Sequence, residues 1–166
     1  MKIEWHKLAE LAADKFRIVP SDAGVYIARW AKEGDAVPIG RLGGCDQKGI
    51  LYVGSAKKLK NRIRRLWRGI SGSAEAHTIR KTILFCKVFE AILPSEYEVT
   101  WEKLETHDKA KGQEWSAIGT YAETYKEPPP LNLGLQREHF VIWGIARWGK
   151  SRWAYEPDDF VRSAVV

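Results

Sequence analysis

Three short runs with strand character, set among stretches of helical period, constrain this chain most. Val25 to Trp30 places Val25 and Ile27 on one face and Tyr26, Ala28 and Trp30 on the other. Ile50-Leu51-Tyr52-Val53-Gly54 is a second run, ended by glycine, and Tyr97-Glu98-Val99-Thr100-Trp101-Glu102 alternates as a half-buried strand should. Between them the apolar period lengthens to that of a helix. Trp5, Leu8, Leu11, Ala12 and Phe16 predict a helix over 4–16. Leu59, Ile63, Leu66 and Trp67 form a stripe after Ser55, a residue suited to cap that helix. Asp108 suits the cap of a third helix over about 109–125, and Pro128-Pro129-Pro130 forbids its continuation. The expected class is α+β, an α/β sandwich: a small mixed or antiparallel sheet of about three strands, flanked by helices.

With 166 residues, one globular domain is expected. Hydrophobic residues at 45% and charged residues at 29% suffice for a packed core and argue against global disorder. No stretch approaches the ~18 apolar residues that a membrane span needs, and Met1 to His6 lacks the apolar run of a secretion signal. Cys45 and Cys86 fit no metal spacing; reduced thiols in a cytoplasmic protein are the favoured reading, with one disulfide as the alternative. Residues 31–48, containing Gly34, Gly40, Gly43 and Gly44, read as a loop that either contacts a ligand or is mobile. Residues 78–93 are mixed in period, and a helix over about 76–89 is the expectation there. The last thirty residues carry Trp143, Trp148 and Trp153 among Arg147, Lys150 and Arg152, and read as a strand pair or an irregular cover.

The formal net charge of +6 is unevenly spread. Between Lys57 and Lys81 lie Lys57, Lys58, Lys60, Arg62, Arg64, Arg65, Arg68, Arg80 and Lys81, against the single acid Glu75. A concentrated basic face suits a polyphosphate; a solvated lysine-rich helix face is the plainer alternative. At about 100° per residue Arg62 falls at the border of the helix's apolar stripe, beside Lys58 and Arg65.

Gly24-Val25-Tyr26 in one strand and Tyr52-Val53-Gly54 in the next, with Arg62 ten positions after the second tyrosine, resemble the paired motif of the GIY-YIG nuclease superfamily. Strand 97–102, Glu114 on a helix, then Pro128 to Pro130 and Asn132 continue the resemblance in order, over roughly residues 24–132. It implies a catalytic core over about 20–135, with an N-terminal helix at 4–16 and a Trp-rich extension at 137–166. It also implies hydrolysis of a phosphodiester, with Tyr26, Tyr52, Arg62 and Glu114 as the catalytic set and one Mg2+ or Mn2+ held by Glu114. DNA is the expected partner and RNA is left open, as is the oligomeric state. Lys57, Lys58, Arg65 and Arg68 would contact the nucleic acid, and Gly54 and Asn132 would support the site. Tyr26 is the candidate general base or water-positioner. Base work near pH 7 requires its pKa to fall by roughly two to three units from about 10.

Glu114 is chosen over Glu123 on helical angles. It lies four residues before Ile118, on the face marked by Ile118, Tyr121, Ala122 and Tyr125, whereas Glu123 turns toward solvent. A helix-dipole role near an N-terminus is the plain alternative for Glu114, as core packing is for Trp30 and Trp67 against stacking on bases. The chain departs from the resemblance in three places. Leu66 stands where many members have histidine or tyrosine, with His77 or a nearby lysine as the substitute left open. Ser55 stands where some repair-type relatives have lysine, and the 31–48 insertion lengthens the spacing from Tyr26 to Tyr52. A weakly active or inactive binding module with the same fold is the alternative function.

Overall fold

The computed structural model describes residues 3–72, 82–83, 92–132 and 157–165. The expected helix at 76–89, His77, Arg80, Lys81, Cys86, Trp143, Trp148 and Trp153 lie outside them. The fold is α+β with an antiparallel sheet. In chain order the elements are β1 (His6–Lys7), α1 (Leu8–Ala13), β2 (Gly24–Lys32), β3 (Asp35–Ala36), β4 (Ile39–Arg41), β5 (Gly44–Asp46) and β6 (Ile50–Ala56). They continue with α2 (Leu59–Ile70), β7 (Tyr97–Lys103), α3 (His107–Tyr125) and α4 (Asp159–Val165). No described helix is long and apolar enough to cross a membrane.

β2 is the central strand. It pairs with β7 on one side, Tyr26 opposite Trp101, and with β6 on the other, Tyr26 opposite Gly54. β1 extends the sheet beyond β7, and β3 pairs with the last residues of β2. The alternation read from residues 25–28 divides the core. Tyr26, Ala28 and Tyr52 join Leu59, Ile63 and Leu66 of α2 and Leu8 and Leu11 of α1. Val25, Ile27 and Val53 join Ala117, Tyr121 and Tyr125 of α3 and Phe160 and Val161 of α4. Burial of a side chain such as Leu59, Ile63 or Leu66 stabilises by about 1.5–3 kcal/mol.

Several expectations need correction. The N-terminal helix is shorter than 4–16, because His6 and Lys7 are drawn into pairing with Val99 and Glu98. Ser55 is not a helix cap; its backbone pairs with Val25, and α2 begins after Lys58, which makes no side-chain cap. Thr106, not Asp108, caps α3, its hydroxyl accepting from the Lys109 N–H at 3.2 Å. Strand β7 is buried on both faces over Tyr97–Thr100, not half-buried. Residues 31–48 are mostly ordered pairs rather than a loop, with β4 and β5 forming a separate hairpin. Fully buried Asp46 anchors it: its carboxylate accepts from the N–H groups of Lys48, Gly49 and Ile50 and from the Tyr121 hydroxyl at 3.0 Å. Cys45, on β5, is an exposed free thiol.

Candidate active site

Both glycines of the paired motif are needed for steric reasons. A Cβ on Gly24 would lie 2.1 Å from the Glu102 carbonyl oxygen and 2.6 Å from Leu59, so glycine lets β7 and α2 close on β2. A Cβ on Gly54 would lie 2.5 Å from the Tyr26 Oη, because that phenol passes over the bare backbone of β6. The ring of Tyr52 stands beside it, 5.9 Å between centroids.

Arg62 joins the two phenols. Its Nε donates to the Tyr26 oxygen at 2.9 Å and its Nη2 to the Tyr52 oxygen at 3.2 Å. It is half-buried, at the border that the helical angle predicts, with Leu59, Ile63 and Leu66 buried on the adjoining stripe. Glu114 approaches from α3, in the stripe of buried Ala110, Ala117 and Tyr121, while Glu123 is exposed. Ser55 Oγ donates to the Glu114 carboxylate at 2.5 Å, and the Ser55 backbone also hydrogen-bonds it. Thus the structure brings Tyr26, Tyr52, Arg62 and Glu114 into one electrostatic neighbourhood, with the carboxylate acting on both phenols and the guanidinium acting on all three. The side chain missed in the sequence is Ser55. Its facing follows from the strand register, Ser55 opposite Val25, which an N-cap reading hides.

Burial governs the protonation states. It raises the Tyr26 phenol well above its ordinary value, with Tyr52 and Glu114 adding to the rise and Arg62 opposing it. Burial likewise raises Tyr52, against Arg62. The Glu114 carboxyl is raised by burial too, opposed by Ser55, Arg62 and Lys111. For Arg62, burial disfavours the charge, but the phenol oxygens outweigh it and hold the guanidinium protonated. The lowering expected for Tyr26 as a general base is therefore reversed: with its ring fully buried, this phenol is a neutral hydrogen-bonding group.

Asn132 holds the site's strand. Its Oδ1 accepts from the Val53 N–H at 2.9 Å and its Nδ2 donates to the Val53 carbonyl at 2.8 Å, so a side chain stands in for a neighbouring strand. Lys57, Lys58, Arg65 and Arg68 are exposed at the start and on the outer face of α2. Leu66 is fully buried in the core and contributes no polar group. Trp30 and Trp67 are half-buried against the core, and the Trp30 indole N–H donates to Glu96 at 3.0 Å, which favours packing over base stacking.

No cluster of three or more His, Cys, Asp or Glu able to hold a metal occurs among the described residues. The donors gathered here, one carboxylate, a serine hydroxyl and two phenols, are hard oxygen atoms. That chemistry fits Mg2+ or Mn2+ bound through one carboxylate with water and substrate oxygens completing the shell. Comparisons with family models, with curated proteins and with solved structures found no match to this chain.

Proposed function

We propose that this protein is a divalent-metal-dependent endonuclease of GIY-YIG type, hydrolysing a phosphodiester bond in DNA. The observation that carries the reading is Arg62, held by two strand-borne phenols within the field of Glu114, on a helix whose outer face is basic. A guanidinium has five N–H donors. Two are engaged by Tyr26 and Tyr52, and the rest, which have no partner among the described residues, can bind phosphate oxygens as negative charge grows on them. Its charge is permanent, so this help does not depend on pH near neutrality.

Glu114 would hold the cation, which when bound supplies charge neutralisation at the phosphate and at the leaving oxygen. Ser55 orients that carboxylate. Tyr26 and Tyr52, as neutral phenols, orient Arg62, and Tyr52, the less deeply buried of the two, is the one that would hydrogen-bond the attacking water or a phosphate oxygen. Burial excludes bulk water around them and strengthens each of these interactions. The expected setting is cytoplasmic, with DNA the preferred substrate over RNA because the resemblance runs to DNA-cutting members.

One observation favours a second reading, a nucleic-acid-binding module without turnover: Leu66 lies in the core at the position where the resemblance has a polar side chain. A plasmid-nicking assay with and without Mg2+ separates the two. Cleavage that needs Mg2+ and is abolished in Arg62→Ala and Glu114→Gln, but kept in Glu123→Ala, is the expected result. Binding without cleavage, unchanged in Glu114→Ala, would establish the module instead.

A further inference from the structure

A second group of basic side chains gathers at the end of the sheet that carries the site. Gly24 is flanked there by Ala56 of β6 and Lys103 of β7. The preceding loop ties the two exits together: Leu59 N donates to the Asp22 carbonyl at 2.9 Å, and Leu104 N to the Ala23 carbonyl at 2.8 Å. Lys57 follows β6 directly, while His107 opens α3. Lys111 stands four residues after His107, on the same side of the helix.

Lys111 and Lys57 both act on His107. His107 is half-exposed, and its pKa is lowered by burial and then by Lys111 and Lys57, against the neighbouring Asp108. The charge of Lys111 also reaches Glu114. Neither Lys57 nor Lys111 forms an ion pair among the described residues. Two lysines that form no ion pair there repel one another and the imidazolium, with Asp108 and Glu114 only partly offsetting them, and an anion relieves that repulsion.

We infer that Lys57, His107 and Lys111 form a second phosphate-binding subsite, which takes a backbone phosphate neighbouring the one that faces Arg62. This rests on the reading that a polynucleotide strand crosses the site. The spacing suits it. Lys111 precedes Glu114 by three residues and His107 precedes it by seven, so they stand about one and two helical turns away, at about 5.4 Å per turn. A strand of duplex DNA rises about 3.4 Å per nucleotide, so successive phosphates fall within that span. Arriving phosphate favours the charged imidazole, against Lys57 and Lys111.

The test is fluorescence anisotropy with a short labelled duplex, in chelator so that the DNA stays intact, over a series of salt concentrations and pH values. Lys57→Ala and Lys111→Ala should each reduce the slope of log affinity against log salt by about 0.9. Lys57→Arg and Lys111→Arg should restore it, with melting temperatures unchanged throughout. Parental affinity should rise as pH falls from about 7.5 to about 5.5, and His107→Gln should lose that gain. Parental salt slopes in both alanine variants, with the pH gain surviving His107→Gln, would overturn the subsite. Binding with the expected slopes but no cleavage in Mg2+ would leave the subsite standing and overturn the nuclease reading. Absence of DNA binding by the parent would overturn both.

Discussion

Gly54→Ala should disable the site through Tyr26 while leaving the backbone of β6 unstrained. Gly54 does not occupy the left-handed region of φ, so alanine fits the local conformation. The methyl group, however, would lie 2.5 Å from the Tyr26 Oη, 2.6 Å from its Cζ and 2.8 Å from the Tyr52 Cε1, where ordinary contact begins at 3.4 Å. The phenol must therefore move by about 1 Å, the scale on which overpacking distorts a core. Tyr26 is fully buried and cannot swing into solvent. Overpacking of this kind costs about 1–3 kcal/mol, or a fall of about 2–12 °C in melting temperature at this chain length. The Arg62 Nε bond to Tyr26, 2.9 Å long, would be carried beyond hydrogen-bond range. A misplacement of about 1 Å in catalytic geometry costs about 100-fold in rate. The assay is nicking of supercoiled plasmid in Mg2+, with thermal denaturation in parallel. Adding Tyr26→Phe should return only part of the lost stability, since it removes the Oη contact but leaves Cζ at 2.6 Å. Cleavage and melting of Gly54→Ala at parental values would refute the steric account of this glycine.

Three other outcomes are expected. Asn132→Ala, which leaves the Val53 N–H and carbonyl without their partner, should cost about 2–4 kcal/mol in urea denaturation; a loss below about 0.5 kcal/mol would mean that water replaces the side chain. Arg62→Lys keeps the charge but not the planar fork that reaches Tyr26 and Tyr52 together. Its cleavage rate should fall about 100- to 1,000-fold with melting nearly unchanged, and near-parental cleavage would show that charge alone suffices. Glu102 is held at a pKa of about 7, by burial first and then by its hydrogen bond and charge interaction with Asp158. The folded protein thus binds this proton more tightly than the unfolded chain does. The resulting stability is present below the ordinary value of 4.5 and is lost as pH rises through about 7. Glu102→Gln should melt above the parent at pH of about 8 and lose that advantage at pH of about 5, and a constant difference would show that Glu102 and Asp158 share no proton.

Much of the site was legible because its residues obey simple periods. The two-residue alternation of β2 separated Tyr26 from Val25, and the angular step of α3 separated Glu114 from Glu123. Errors arose where distant pairing overrode local preference. Ser55 has the chemistry of a helix cap, but antiparallel pairing with Val25 carries β6 through it. Trp5 begins a helical stripe that runs to Phe16, yet the next residue, His6, pairs with Val99 and stacks on Trp101 at 4.6 Å. The 31–48 segment contains strands of two or three residues, too short to show a period, and the Asp46–Tyr121 bond that fixes it spans 75 positions. The raised phenols were illegible for a related reason: burial depends on what α1 and α2 bring across the sheet, which no motif records.

The outer edge of β6 explains how a carboxylate on one face of the sheet comes to serve phenols on the other. Tyr26 and Tyr52 lie on the α2 face, whereas α3 covers the opposite one. β6 pairs with β2 on its inner side, and its outer polar groups are taken up in succession. Leu131 N donates to the Leu51 carbonyl, the Asn132 amide engages Val53, and Glu114 accepts from Ser55. Glu114 thus occupies the next place along an edge already covered by Asn132, and the intervening Gly54 has no side chain to screen it from Tyr26. A strand edge left open would be a liability. Here the residues that close it also bring the carboxylate round to the guanidinium. The stabilising contacts and the chemical ones share one strand, so disturbance of the Asn132 clamp should reach Arg62 through Val53, Gly54 and Tyr26.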